Sequence, residues 1–238
     1  MKVLINADDF GMTLGVSRAI SELILEGTIS TTSAMACSKD LESSLRYSEG
    51  LEGKIGVHLQ ISADAPLSNG KTLVDPTTGE FYKKPVPSGV SSEEVRTEWE
   101  LQIEKVSNLL GHKPSHLDTH HDYHCDPRFS EVFLELAEQH DLPVRGGAIQ
   151  TDSSPKVRST NPVVRGWSSV GTAETLLKEL ASIQNPVGII EVISHPAYCD
   201  DDLRAKSSWT DVREKEMAEL RRFAKINPYR LVDYSSVT

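Results

Sequence analysis

Short apolar runs alternate with longer stretches whose apolar residues recur every three or four positions, along almost the whole chain. KVLIN at 2–6 is followed by GVSRAISELILE at 15–26, where Val16, Ala19, Ile20, Leu23 and Ile24 share one helical face. Gly27 is placed to stop that helix. TTSAMA at 31–36 reads as a strand, 40–49 as a helix, and IGVHLQIS at 55–62 as a strand. Residues 93–111 form a long amphipathic pattern ending at Gly111, and SHLDTH at 115–120 is again strand-like. A helix is predicted over 127–140, with Asp126 as N-cap and Pro127 at the first helical position. Further strands are predicted at 143–148, 163–167, 188–195 and 229–234, with helices near 172–184 and 209–226. Six or more strand-then-helix units predict a parallel sheet with helices outside it, as a barrel or an open sheet.

Residues 63–92 break the rhythm. They hold four of the 12 prolines and three of the 15 glycines, with little periodicity. A loop of that length usually covers or lines a site. Because it directly follows His58, a lid-like insertion is expected, with a plain surface loop as the alternative.

Composition narrows the class. The 238 residues are 38% hydrophobic and 25% charged, as expected of one folded domain over 1–238. The net charge is −10 and no basic block occurs, which argues against nucleic acid or an anionic membrane as partner. No apolar run is long enough to span a bilayer, and the N-terminus lacks a signal-peptide pattern. Three cysteines without a Cys-x-x-Cys pair exclude a disulfide framework. A cytoplasmic protein is expected.

The histidines carry the chemistry. Four of the eight fall in His116-Leu-Asp118-Thr-His120-His121-Asp122-Tyr-His124. On a strand, His116, Asp118 and His120 share a face, and burying them requires a metal ion or a hydrogen-bond network. Asp8 and Asp9 follow the first strand, His58 lies near the end of the third, and His195 closes GIIEVISH. Four strands thus bring carboxylates or imidazoles to one rim, where parallel α/β folds keep their functional groups. The phosphate-loop, dinucleotide, serine-elbow and His-Glu-x-x-His motifs are all absent. An Asp/His set suited to a metal-dependent hydrolase remains.

NADDFG at 6–11, TTSAM at 31–35, GVHL at 56–59, KPSHLDTHHDYH at 113–124 and SHPA at 194–197 resemble, in order, the YdjC family of carbohydrate deacetylases. The resemblance implies an α/β fold built as a distorted, TIM-like (β/α) barrel, one divalent ion, and an N-acetylated sugar substrate of chitooligosaccharide or diacetylchitobiose type. It places Asp9, His58 and His120 at the metal-ligand positions, Asp8 at the general base and His195 at the general acid. Asp118 is a candidate to hold a ligand histidine from behind. His116, His121 and His124 are candidate supporting or substrate residues. Arg145 is expected either to orient Asp8 or the substrate, or to be an ordinary surface arginine. The family often carries a third consecutive histidine where this chain has Asp122. Two imidazoles and a carboxylate favour zinc, while family descriptions favour magnesium. A homodimer is expected by analogy. The competing readings are a sugar-binding or regulatory protein without turnover, against which the doubled carboxylate Asp8-Asp9 speaks, and, more weakly, a phosphoesterase. Because successive strand residues point to opposite faces, the backbone is expected to leave strand geometry at Asp8-Asp9.

Overall fold

The computed structural model describes residues 1–167, 171–186 and 188–238. Its strands are β1 (Lys2–Phe10), β2 (Thr31–Ala34), β3 (Ile55–Leu59), β4 (Leu117–Thr119), β5 (Val163–Val164), β6 (Ile190–Ser194) and β7 (Arg230–Leu231). The helices are α1 (Leu14–Leu25), α2 (Leu41–Ser44), α3 (Ser92–Leu110), α4 (Ser130–Gln139), α5 (Ala173–Ser182), α6 (Asp201–Lys206) and α7 (Thr210–Ile226). The strands run in the order β4-β3-β2-β1-β6-β5, with β7 added beside the start of β1, and every pairing is parallel. The sheet curls until its ends meet. Single parallel bridges join Leu117 to Val144 and Val144 to Ser159, and the chain from there continues into β5 beside β6. The result is a distorted barrel closed by isolated bridges where full strands would be expected.

Burial explains the elements. In β1, positions 3 to 10 are all buried, the mark of a parallel strand covered on both faces. α1 is capped by Thr13 and buries Val16, Ala19, Ile20, Leu23 and Ile24 against the sheet, as the spacing predicted. α3 starts at the Ser91 cap, carries Glu93 and Glu94 in its first turn, and ends where Gly111 takes a left-handed φ of 71°.

Several predicted boundaries shift for identifiable reasons. The strand expected over 55–62 stops at Leu59, because Gln102 of α3 takes both backbone groups of Gln60: its Oε1 accepts from Gln60 N at 2.7 Å and its Nε2 donates to Gln60 O at 2.9 Å. The helix predicted from 127 begins at Ser130. Asp126 turns its carboxylate to the backbone and guanidinium of Arg128, so it does not cap α4. Residues 143–148 form no strand beyond the Val144 bridges, since Gly147 turns at φ 116°. The first strand, predicted over 2–6, runs on to Phe10, the other predicted strands shrink to the cores given above, and the helix expected over 40–49 is one short turn of α-helix followed by a tighter turn at Leu45–Tyr47. α6, capped by Asp200, was not predicted.

Segment 63–92 contains a single antiparallel bridge, Val74 to Phe81. It is nevertheless anchored: Leu73, Phe81, Val86 and Val90 are buried, and Glu98 of α3 accepts from the backbone of Leu67 and Ser68.

Candidate active site

β1 departs from strand geometry where the sequence doubles its carboxylates. Asp9 takes φ 74°, and the register against β2 slips between Ala7 and Phe10. A left-handed non-glycine residue carries strain, which tends to be kept where function needs it. The twist brings Asp8 and Asp9 into one site, 3% and 1% exposed, where regular alternation would have separated them.

His58 reaches this point from β3 and His120 from the turn after β4, where His121 and Asp122 also adopt left-handed φ values of 63° and 58°. Three donor atoms face one another: Asp9 Oδ1 lies 3.4 Å from His58 Nε2 and 3.2 Å from His120 Nδ1, and the two nitrogens are 3.2 Å apart. Asp9 Oδ1 is buried and lacks a well-oriented hydrogen-bond donor. Its other oxygen accepts from Arg213 Nη2 at 2.7 Å. Burial works against the Asp9 charge, but Arg213 and His120 outweigh it and hold the carboxyl well below its ordinary range. Asp118 Oδ1 sits 2.7 Å from His58 Nδ1 and so aims Nε2 at Asp9. Burial opposes charge on His58, yet Asp118, Asp8 and Asp9 together raise it to about 9.

Arg145 is the hub on the other side. It is 1% exposed, donates through both terminal nitrogens to Asp8 at 2.9 and 2.6 Å, and pairs with Asp118 at 2.7 Å and Glu191 at 2.8 Å. The alternative of a surface arginine is therefore excluded. Asn6 Nδ2 adds a hydrogen bond to Asp8 Oδ1 at 2.8 Å. Asp8 Oδ2 is the freer oxygen, 3.8 Å from His195 Nε2 and 3.9 Å from His58 Nε2. His195 follows β6; its backbone N–H donates to Glu216 Oε1 at 2.6 Å, and its ring meets Trp209 edge-on. Burial lowers its pKa to about 4 despite the nearby Asp8 and Asp9.

Asp8, Asp9, His58, His120, Arg145 and His195 line one cavity of about 980 Å³, and Asp64, Glu80, Lys83 and Lys84 from the 63–92 segment form part of its wall. His121 also lines it, held by Ser62 Oγ at 2.8 Å. His116 lies deeper, stacked on Tyr234 with ring centroids 3.7 Å apart, and burial lowers it to about 3. His124 turns away, bonded to Thr119 Oγ1 at 2.6 Å and 3.3 Å from Gly146 O. Among the described residues, two further groups have suitable donor atoms close together, Asp8–His58–Asp118 and Asp122–His124–Cys125. Cations already occupy their carboxylates, Arg145 in the first and Arg165 in the second.

Sequence reasoning missed Arg213, Glu216, Glu191 and Trp209. A signal existed for the first two, since Arg213 and Glu216 share a buried face with Met217 and Leu220 in an otherwise polar helix. Glu191 likewise interrupts the fully buried strand β6.

Fold and site together define an α/β barrel protein whose strand ends converge on a buried Asp/His group able to hold a metal ion. The chain belongs to the YdjC-like protein family, whose model matches residues 2–223, in agreement with the motif order. A carbohydrate deacetylase of Halalkalibacterium halodurans is 35% identical over 230 residues, covering 93% of this chain and 96% of that one. A carbohydrate deacetylase of Clostridium beijerinckii is 32% identical, covering 92% of this chain and 91% of that one. Among solved structures, an Enterococcus faecalis V583 protein described as a candidate cellobiose-phosphate cleavage protein superposes with a TM-score of 0.87 at 26% identity, covering 99% of this chain and 98% of that one. A Streptococcus mutans CE4 esterase shares the barrel at a TM-score of 0.57 and 14% identity, over 97% of this chain and 84% of that one.

Proposed function

We propose that this protein is a metal-dependent carbohydrate deacetylase that removes acetyl groups from N-acetylated sugars of the chitooligosaccharide type. The observation that carries the reading is the triangle of Asp9 Oδ1, His58 Nε2 and His120 Nδ1 with the second carboxylate, Asp8, beside it. An unpartnered buried oxygen facing two imidazole nitrogens fits a cation. Two imidazoles and one carboxylate are the donor types zinc takes, whereas magnesium prefers oxygen ligands, so zinc is the favoured ion.

A divalent ion held by Asp9, His58 and His120 supplies a lowered pKa for water and Lewis-acid polarisation of the acyl carbonyl. Asp8 is the general base. Arg145 and Asn6 fix its plane, and Oδ2 is left to take the proton of the attacking water. His195 is the general acid toward the leaving amine. Because burial keeps it neutral at pH 7, it must first be loaded with a proton. Asp8 Oδ2, 3.8 Å away, stands beside it once it has taken the proton from water.

The test is acetate release from N-acetylglucosamine oligomers by metal-stripped protein reloaded with zinc or magnesium, with p-nitrophenyl phosphate as contrast. Metal-dependent acetate release without phosphate release is the expected result. Phosphate release alone would overturn the reading, as would sugar binding without turnover under any metal. A homodimer, expected by family analogy, is tested by sedimentation equilibrium.

A further inference from the structure

Trp209 has no role in the chemistry above. Of the three tryptophans, Trp99 and Trp167 are buried at 0% and 3% exposure, while Trp209 leaves 41% of its surface open. It stands directly before α7 in the cavity wall, next to Lys206, Ser207 and Ser208. Its side chain makes no capping hydrogen bond to the helix. The indole is fixed by edge contact with His195, centroids 5.7 Å apart and planes at 80°. A large flat apolar surface is thus held at the cavity beside the acid, and no helix-capping need explains it.

We infer that Trp209 is the stacking platform for the sugar ring that carries the acetamide. The inference rests on the deacetylase reading and adds to it the residue that recognises the ring. A pyranose has a face of C–H groups and a rim of hydroxyls. The face fits an indole, and the rim fits hydrogen-bonding groups such as Ser207 and Ser208 in the same wall. The leaving nitrogen is bonded directly to a ring carbon. A ring whose nitrogen is next to His195 therefore lies beside the residue touching His195, which is Trp209, and stacking its C–H face there buries the most apolar surface. The platform accordingly serves the reacting sugar and acts on a monosaccharide as much as on a longer chain.

Binding is measured by calorimetry in an Asp8→Asn background, so that N-acetylglucosamine and its dimer are not consumed. Trp209→Ala is expected to weaken both by about tenfold, and Trp209→Phe to recover most of that loss. With Asp8 intact, the same substitution is expected to raise KM with a smaller effect on kcat. Equal binding by Trp209→Ala overturns the inference. So does recovery by Trp209→Leu as complete as by Phe, which would make the contact one of bulk alone. Loss confined to the dimer would assign the platform to a neighbouring ring and equally overturn it. Acetate release is read separately. If the protein with Asp8 and Trp209 intact binds sugars through Trp209 but releases no acetate, deacetylation fails and the platform stands. If it releases acetate and Trp209→Ala matches it in KM, the platform fails and deacetylation stands.

Discussion

Arg213 Nη2 donates to Asp9 Oδ2 at 2.7 Å, which leaves Asp9 Oδ1 as the oxygen facing His58 and His120. The guanidinium comes from α7, more than two hundred residues along the chain from its partner. Arg213→Gln removes the charge opposite a buried carboxylate, and breaking such a pair costs about 3–5 kcal/mol. A metal ion replaces part of the missing positive charge. Thermal unfolding with and without zinc is therefore expected to give a larger metal-induced rise in Tm for the variant than for the parent. Equal rises would show that Arg213 does not compensate the Asp9 charge.

The two adjacent aspartates separate by substitution. Asp9→Asn is expected to weaken metal binding, because a neutral amide oxygen is a poor ligand for a dication. Asp8→Asn is expected to keep metal while losing roughly 10²–10⁴-fold in kcat, the range of a general base. Metal titration and acetate release on both variants distinguish them, and the reverse pattern would exchange the roles.

His195→Ala is expected to retain a full equivalent of metal and to lose roughly 10²–10⁴-fold in kcat. Metal loss in that variant, measured on protein dialysed without chelator, would place His195 among the ligands.

Metal affinity is expected to rise with pH. In the metal-free site His58 titrates at about 9, so below that pH each bound ion displaces a proton from it. The affinity should climb about tenfold per pH unit between pH 7 and 9 and then level off, with proton release detectable by calorimetry in buffers of different ionisation enthalpy. For the metal-free fold the sign is opposite. The charged His58 stabilises it fully below 6.5, and that contribution fades as pH rises through about 9. Affinity independent of pH over this range would show that His58 is neutral before the metal arrives.

The alternation of apolar runs made the parallel sheet legible, and the strand-end positions of Asp8, Asp9, His58, His120 and His195 made the Asp/His group in the cavity legible. What stayed hidden depends on long-range pairing. Nothing local marks Val144 as a closing bridge, because one parallel bridge leaves no period in the sequence. The exception is local: Asp126-Pro127 has the composition of a helix start, yet its carboxylate is claimed by Arg128, two residues on. Gln60 lies in a strand-like run, and only the fold brings Gln102 across to end it. Arg145 was visible as a candidate, but its choice between surface and interior was decided by Asp8, Asp118 and Glu191, which are distant in the chain.

The join that closes the barrel carries a pair of backbone hydrogen bonds at each of its two bridges, and buried side chains add a second line of contacts there. Thr160 and Tyr234 donate to Glu191, Glu191 accepts from Arg145, and Arg145 grips Asp8. The clasp that keeps the cylinder shut and the support of the Asp8 carboxylate are thus one chain of contacts. Loosening the wall at this seam would blur the aim of Asp8 before the rest of the fold gave way, so drift at Thr160 or Tyr234 would be felt first as lost turnover.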